Sequence, residues 1–267
     1  MRALRIHGGT GQVLVRVRAA AVNPIDWKMR RGLLANIFAL RFPRTLGRDC
    51  AGDAHGELVA GVADPRTDGT HADYALLPDA ASAPVPAGLD AAAAASLCIA
   101  GLSAWISLVE VAQVRAGMRV LIHGGAGGVG SLALQIAREL GATVLATSTR
   151  VIDYRVENFA DAGPFDVVLD TLGGEAHVRS LAALRPDGVL VALSAEPIPA
   201  HAPRPDVRVE KPAIQATRQR LEGIFQWGAR GKLQPQVMQR FTLEDAAAAY
   251  GAVEAPHGRG KIVLAIS

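Results

Sequence analysis

Cysteine is nearly absent: Cys50 and Cys98 are the only two in 267 residues. Two thiols cannot staple a secreted scaffold of this length, and no CxxC pair marks a structural zinc. Reduced thiols in a cytoplasmic protein are therefore expected. Blocks of lysine or arginine are missing too, although the net charge is +3 and the pI is about 9.1. Scattered arginines argue for a diffuse basic surface rather than a nucleic-acid tail. They leave room for a local basic site that takes a phosphorylated small molecule. The opening "MRALRIHGGT" lacks the apolar core of a signal peptide, so no secretory leader is expected. There is no internal repeat and no low-complexity linker. Only residues 91–109, 19 positions without a charge, meet the length of a membrane span. That stretch is mostly alanine, with Ser96, Gly101, Ser103 and Ser107 inside it, which predicts a buried helix or helix pair and no membrane partner.

What is present fits a globular chain of one large or about two domains, half apolar and one fifth charged. The first ninety residues look β-rich. "QVLVRVRAAAV" alternates through Val13, Val15 and Val17, a half-buried strand pattern, and Asp90 is placed to cap the alanine-rich helix. From Met118 the character changes. "RVLIH" is a short apolar run, followed by the glycines of "HGGAGGVGS" and then by "SLALQIAREL". In the last piece Leu132, Ile136 and Leu140 make one helical stripe, and Gly141 ends it. "TVLAT", "FDVVLD" and "GVLVAL" are further strand-like runs, and strands alternating with helices predict parallel βαβ packing. Leu221, Ile224 and Phe225 mark a later helix closed by Gly231. Thr242 with Asp245 resembles a capping box, and "KIVLAI" reads as a closing strand.

Within the turn, Gly125, Gly127 and Gly130 satisfy GxGxxG after a strand and before a helix, the context in which the pattern carries weight. Absent side chains let the backbone approach a diphosphate, and helix N–H groups attract its charge. An acid about 20 residues further on would bind the 2′-hydroxyl of NAD. Here the second strand ends in Ser148, Thr149 and Arg150 instead. Hydroxyls and a guanidinium suit a 2′-phosphate, which predicts a preference for NADP(H). The alternative is that Arg150 is a solvated loop charge.

The stretches "AAAVNPIDWKMRRG", "LGRDCAG", "AGLSAW", "VLIHGGAGGVGS", "VIDYR", "DVVLDTLGG" and "GRGKIVL" occur in the order seen in zinc-independent medium-chain dehydrogenase/reductases. The chain resembles the quinone oxidoreductases of that family, the zeta-crystallin-like proteins, over nearly its whole length. The resemblance implies an α/β fold: a Rossmann doubly wound parallel sheet plus an abridged GroES-like β-barrel domain, with the nicotinamide in the cleft between. Residues 1–92 and 234–267 would form the catalytic domain and 93–233 the NADP-binding domain. It further implies that Asn23 and Ser103 lie beside nicotinamide or substrate, and that Ala126, Gly127, Gly128 and Val129 line the diphosphate. Ser148, Arg150 and Tyr154 would surround the adenosine phosphate, while Thr171, Leu193 and Lys261 border the cofactor. A homodimer is implied, with "DVRVEK" as an edge strand open to pairing. Zinc ligands of the metal-dependent relatives correspond here to Asn23, Arg48 and Ala100, none of them competent.

Without metal, chemistry comes from positioning: hydride passes to an electron-poor carbon of a quinone or enone, and hydrogen-bond donors polarise its carbonyl. Asn23, Ser103 and Lys28 are candidate donors, with Lys28 more simply a surface charge. His123 is expected to be structural. Two departures from the family matter. Leu34 stands where relatives often have a tyrosine, and only three residues separate "TVLAT" from "VIDY", too few for a crossover helix. A compacted relative with one strand fewer in its Rossmann sheet is therefore expected. An enoyl-thioester reductase and a non-catalytic, crystallin-like NADPH-binding protein remain as alternatives.

Overall fold

The computed structural model describes residues 11–35, 37–38, 42–147, 159–194, 198–255 and 259–267. The chain divides into two compact units, Met1–Leu102 with Gln215–Ser267, and Ser103–Ile214. The family resemblance implied joints at 92/93 and 233/234.

The first unit begins with β1 (Gln12–Val22), followed by α1 (Pro24–Arg30), β2 (Asp49–Ala54), β3 (Glu57–Val62), β4 (Tyr74–Pro78) and β5 (Ser82–Pro84). Val15 and Val17 are buried while Arg16 and Arg18 face out, as the period-two pleat requires. Helix α2 (Ala91–Trp105) continues into a wider π-helical turn, Ile106–Val111. Asp90 accepts the Ala93 N–H at 2.7 Å and so caps its start. This 21-residue run is long and apolar enough to cross a bilayer, yet 78% of its most apolar window is buried inside the fold.

The second unit holds β6 (Arg119–His123), α3 (Gly128–Glu139), β7 (Thr143–Thr147), β8 (Phe165–Asp170), α4 (Gly174–Ala183), β9 (Leu184–Ala192) and β10 (Arg208–Glu210). Its strands pair in parallel in the order β10-β9-β8-β6-β7. Val120, Leu121 and Ile122 are all fully buried, because a parallel sheet is covered on both faces and reads as a continuous apolar run. Measured against the six-strand order 3-2-1-4-5-6, the described strands correspond to 2-1-4-5-6. β7 occupies the edge where a third strand would add. The abridgement lies between β7 and β8. Residues 148–158, with the expected positions of Ser148, Thr149, Arg150 and Tyr154, lie outside the described residues. "DVRVEK" forms the opposite edge as β10.

The chain then returns to the first unit with α5 (Arg218–Ala229), β11 (Val237–Thr242), α6 (Ala246–Glu254) and β12 (Lys261–Ala265). Leu221, Ile224 and Phe225 are fully buried, and α5 packs against β5, which is why it belongs here and not with the parallel sheet. Thr242 does accept the Asp245 N–H, at 3.3 Å, although the helix itself starts at Ala246. The seven-stranded sheet follows the path β11-β12-β1-β2-β3-β5, with β4 beside β1. All its pairs are antiparallel except β11 with β12. Val15, Leu77 and Leu264, all wholly buried, sit in its core. Each contributes about 1.5–3 kcal/mol on removal from water. The register matters most at one point. Ala21 lies opposite Asp49 on β2, and Val22 lies opposite Ile262 on β12. The end of β1 therefore meets the starts of β2 and β12.

Candidate functional site

The glycine turn of the second unit joins β6 to α3 at the carboxyl end of the parallel sheet. Ligands of open α/β sheets bind at that end, where strand order reverses. Here β7 and β8 flank β6 on opposite sides, so the reversal falls beside this turn. Gly124 has φ +66° and closes the turn by accepting the Gly127 N–H at 2.9 Å. A β carbon on Gly130 would lie 2.2 Å from the Gly124 carbonyl oxygen, and one on Gly125 would lie 2.7 Å from Ala146 Cβ. These two glycines are thus demanded by the close approach of turn, helix and strand. The first backbone bond of α3 is Ser131 N–H to Gly127, at 3.0 Å. The N–H groups of Gly128, Val129 and Gly130 precede it, at the positive end of the helix dipole. Gly125, Ala126, Gly127, Gly128, Val129 and Gly130 therefore form one backbone cradle whose polarity suits a diphosphate.

The base of the cradle is pinned by His123, which is fully buried. Its Nε2 lies 2.7 Å from Ser180 Oγ and its Nδ1 lies 2.8 Å from Thr147 Oγ1. Ser180 spends its own proton on Ala176 O, 2.6 Å away, so it accepts from Nε2–H, and Nδ1 accepts from Thr147. Burial holds the imidazole neutral, with its pKa down to about 4. His123 is structural, as expected. At the next strand end Asp170 accepts the N–H groups of Leu172 and Gly173 at 2.9 and 2.8 Å, and meets His177 Nδ1 at 2.9 Å. Thr171 donates to His123 O at 2.8 Å, and the Leu193 N–H donates to Asp170 O at 2.8 Å. Thr171 and Leu193 accordingly share the sheet end with the cradle.

Asn23, Asp26, Asp49 and Lys261 form a buried polar cluster in the first unit, at the junction set by the β1 register. Asn23 and Lys261 are 4% and 5% exposed and the two aspartates are fully buried. Lys261 Nζ donates to Asn23 Oδ1 at 2.5 Å and to Val22 O at 3.4 Å. Asn23 Nδ2 donates to Asp49 Oδ1 at 2.8 Å and to Ala21 O at 3.3 Å. The other Asp49 oxygen accepts the Ile99 N–H of α2 at 3.0 Å. Asp26 accepts the Asn23 backbone N–H at 2.7 Å, while its Oδ1 has no hydrogen-bond partner. Burial drives the Asp26 carboxyl up to about 7, against the pull of the Asn23 N–H and of Lys261 and Arg48. Burial likewise raises Asp49 to about 6 and lowers Lys261. Nearby, His71 Nδ1 meets the Tyr250 hydroxyl at 2.7 Å, and burial holds that imidazole down at about 4.

The expected catalytic pair, Asn23 and Ser103, falls in different units. Asn23 has both amide hydrogens engaged internally, so it offers no free donor. Ser103 is buried on α2 at the start of the second unit. Lys28 lies over the Trp27 ring, 5.6 Å from its centre, and Leu34 is buried. The sequence reading assigned no role to Asp26, Asp49, His71 or Tyr250. The first two stand within "VNPID" and "GRDCAG", and that was the available signal. Zinc does not fit the donors here. Asn23 is committed to Asp49 and Lys261, Arg48 donates to Ala63 O at 3.0 Å, and Ala100 has no donor atom. Among the described residues no group of three or more His, Cys, Asp or Glu is placed to hold a metal.

Two family profiles match the chain: "Alcohol dehydrogenase GroES-like domain" over residues 9–56 and "Zinc-binding dehydrogenase" over residues 147–264. A mitochondrial NAD(P)H oxidoreductase, RTN4IP1 of Drosophila melanogaster, is 34% identical over 213 residues, covering 61% of this chain and 52% of its own. The trans-enoyl reductase pgmF of Aspergillus terreus is 28% identical over 310 residues, covering 97% of this chain and 87% of its own. That alignment is longer than the chain itself, so the relative carries stretches that this chain lacks. The solved quinone oxidoreductase of Coxiella burnetii superposes with a TM-score of 0.84 at 29% identity, covering 96% of this chain and 91% of its own. The chain spans about half the length of the fly relative, and only 13–14% of the polyketide synthase proteins it also resembles.

Proposed function

The chain belongs to the medium-chain dehydrogenase/reductase family, among its quinone-oxidoreductase-like members, and from that premise we propose an NADPH-dependent oxidoreductase that reduces a quinone or an α,β-unsaturated carbonyl without metal. The observation that carries this reading is the backbone cradle at residues 125–130, at the carboxyl end of the parallel strands. When bound, a reduced nicotinamide supplies the hydride. The chain's own contribution is to hold and orient. Gly125, Ala126, Gly127, Gly128, Val129 and Gly130 grip the diphosphate, and Thr171 and Leu193 border it along the same sheet end. Ser148, Thr149, Arg150 and Tyr154 receive the 2′-phosphate, a preference argued from the sequence alone. Ser103 remains the candidate donor toward the acceptor's carbonyl oxygen.

A second reading, an enoyl-thioester reductase, draws support from the near full-length similarity to a trans-enoyl reductase. A third, NADPH binding without turnover, draws on Leu34 in place of tyrosine and on the shortened sheet. Fluorescence titration with NADPH and NADH, then NADPH oxidation with quinones, enones and an enoyl thioester, separates the three. Tighter NADPH binding with quinone- or enone-dependent oxidation is expected. Equal affinity for NADH overturns the cofactor assignment, thioester-only turnover selects the second reading, and tight binding without oxidation selects the third. The proposal includes a homodimer paired along β10, where Val209 is 44% exposed, and a monomeric mass by light scattering overturns it. The two free, buried cysteines suit the reducing cytoplasm proposed as its location.

A further inference from the structure

Asn23 is buried among neighbours that differ sharply in hydrogen-bonding character. Ala21 O is an acceptor, and so is ionised Asp49; Lys261 is a donor only. The observed amide places Nδ2 toward the two acceptors, at 2.8 and 3.3 Å, and Oδ1 toward the ammonium, at 2.5 Å. Turning the amide over would set three oxygens together and an NH2 group against the lysine. The three partners come from three places in the fold: the end of β1, the start of β2 and the start of β12. Lys261 is the sole donor among them. It is held in turn by Val22 O, and no carboxylate ion pair draws it away from Asn23 among the described salt bridges.

We propose that Lys261 is a positioning residue that locks the Asn23 side-chain amide, leaving an acceptor lone pair on Oδ1 as its only offer to a ligand. The group read by Asn23 is then a hydrogen-bond donor, an amide NH2 or a hydroxyl, and not a carbonyl oxygen. The proposal rests on the oxidoreductase reading for its kinetic consequence, but not for its geometry. It also moves Lys261 from direct cofactor contact to the support of Asn23.

The chain has three asparagines, Asn23, Asn36 and Asn158, so selective 15N-asparagine labelling yields three side-chain amides. The Asn23 pair is identified by its loss in Asn23→Ser. In the wild type, the lock predicts a shifted pair protected from solvent exchange. Lys261→Met should release it, moving the resonances toward exposed-amide positions, and Lys261→Arg should retain much of the shift. If Lys261→Met does not fold, Lys261→Gln, too short to reach, takes its place. Kinetically, loss of the lock should lower kcat by about tenfold, with any loss of NADPH affinity matched in Asn23→Ala. The 3-acetylpyridine analogue of NADPH, which lacks the carboxamide NH2, distinguishes the ligand source. A penalty with this analogue that vanishes in Asn23→Ala places the cofactor's amide on Asn23. A penalty that persists leaves a hydroxyl of the acceptor or its product as the recognised donor.

Unmoved Asn23 resonances in Lys261→Met overturn the lock. So does an NADPH affinity that falls about tenfold in Lys261→Met but holds in Asn23→Ala, because Lys261 would then be a cofactor ligand in its own right. A wild type that oxidises NADPH with no acceptor defeats the oxidoreductase reading, while the amide resonances still decide the lock.

Discussion

Asp26 offers the sharpest test of the buried cluster. Its carboxyl titrates at 3.8 in an unfolded chain and at about 7 here, raised chiefly by burial. Folding therefore strengthens its hold on a proton. The resulting stability is fully present below 3.8 and is lost as the pH rises through about 7. A shift of this size corresponds to about 4 kcal/mol over the whole range, of which roughly 2–3 kcal/mol falls between about pH 5 and pH 8. Asp26→Asn removes the titration and keeps an oxygen to accept the Asn23 N–H. Its stability relative to wild type should consequently rise by that roughly 2–3 kcal/mol between the same two pH values. His71 and His123 are common to both proteins, so their titrations largely cancel in the difference, whereas Asp49, raised in part by Asp26, is relieved by the substitution and changes the difference in the same direction. Urea unfolding followed by tryptophan fluorescence measures it, since Trp27 and Trp227 lie in the same unit as Asp26. A difference that stays flat from pH 5 to 8, or declines, refutes the reasoning, because a carboxyl with an ordinary pKa adds no slope in that window.

Gly130→Ala would push a β carbon to 2.2 Å from the Gly124 carbonyl; a cost of about 1–3 kcal/mol and clearly weaker NADPH binding are expected, and an unchanged titration counts against the cradle. His123, depressed to about 4 from 6.5, contributes stability that is present above pH 6.5 and lost as the pH falls through about 4, up to roughly 3 kcal/mol. His123→Gln should flatten that acid limb in thermal melts, and an unaltered slope would remove His123 from the account. Tyr250→Phe strips the hydroxyl from His71 Nδ1, leaving a buried acceptor unmet at a cost of about 1–3 kcal/mol, to be read by chemical denaturation. Phe225→Ala empties a fully buried site on α5 and should cost about 3–5 kcal/mol, with loss of the first unit's cooperative transition as the marker.

Residues in a repeating pattern were legible because their neighbours along the chain are also their neighbours in space. Val120, Leu121 and Ile122 announce a doubly covered strand, and Leu132 with Ile136 announces the helix that follows, so the turn between them could be placed and interpreted. The stripe of Leu221, Ile224 and Phe225 announced a helix equally well, but not the sheet against which it packs. An apolar face records that it will be covered and says nothing of the cover. That α5 belongs with the first unit follows from its packing against β5, which the stripe does not record. Lys261 and Asn23 lie 238 positions apart, and their meeting depends on how β12 registers against β1. No local pattern carries that register. The proton affinity of Asp26 is likewise a property of the burial that surrounding strands impose, and an aspartate two residues beyond a proline looks ordinary until it is enclosed.

The five described strands of the parallel sheet bear on which parts of such a fold can be dispensed with. Strand order reverses at β6, between β7 on one side and β8 on the other, and the glycine turn leaves β6 at that point. A third strand would add beyond β7, one strand further from the turn. Among the described residues no such strand follows β7, and β6 keeps its hydrogen bonds with both neighbours, and with them the His123 to Thr147 contact that steadies the cradle. Compaction of the sequence after β7 should therefore spare the proposed diphosphate cradle and bear on the positions expected to recognise the adenosine phosphate. On this reasoning, any loss of function caused by the shorter chain should be seen first as weakened discrimination between NADPH and NADH, before weakened binding of both. Parallel titrations against a relative such as the Coxiella burnetii quinone oxidoreductase would check it. A chain that discriminates as well as its relative but binds both cofactors poorly would place the damage at the cradle and contradict the argument.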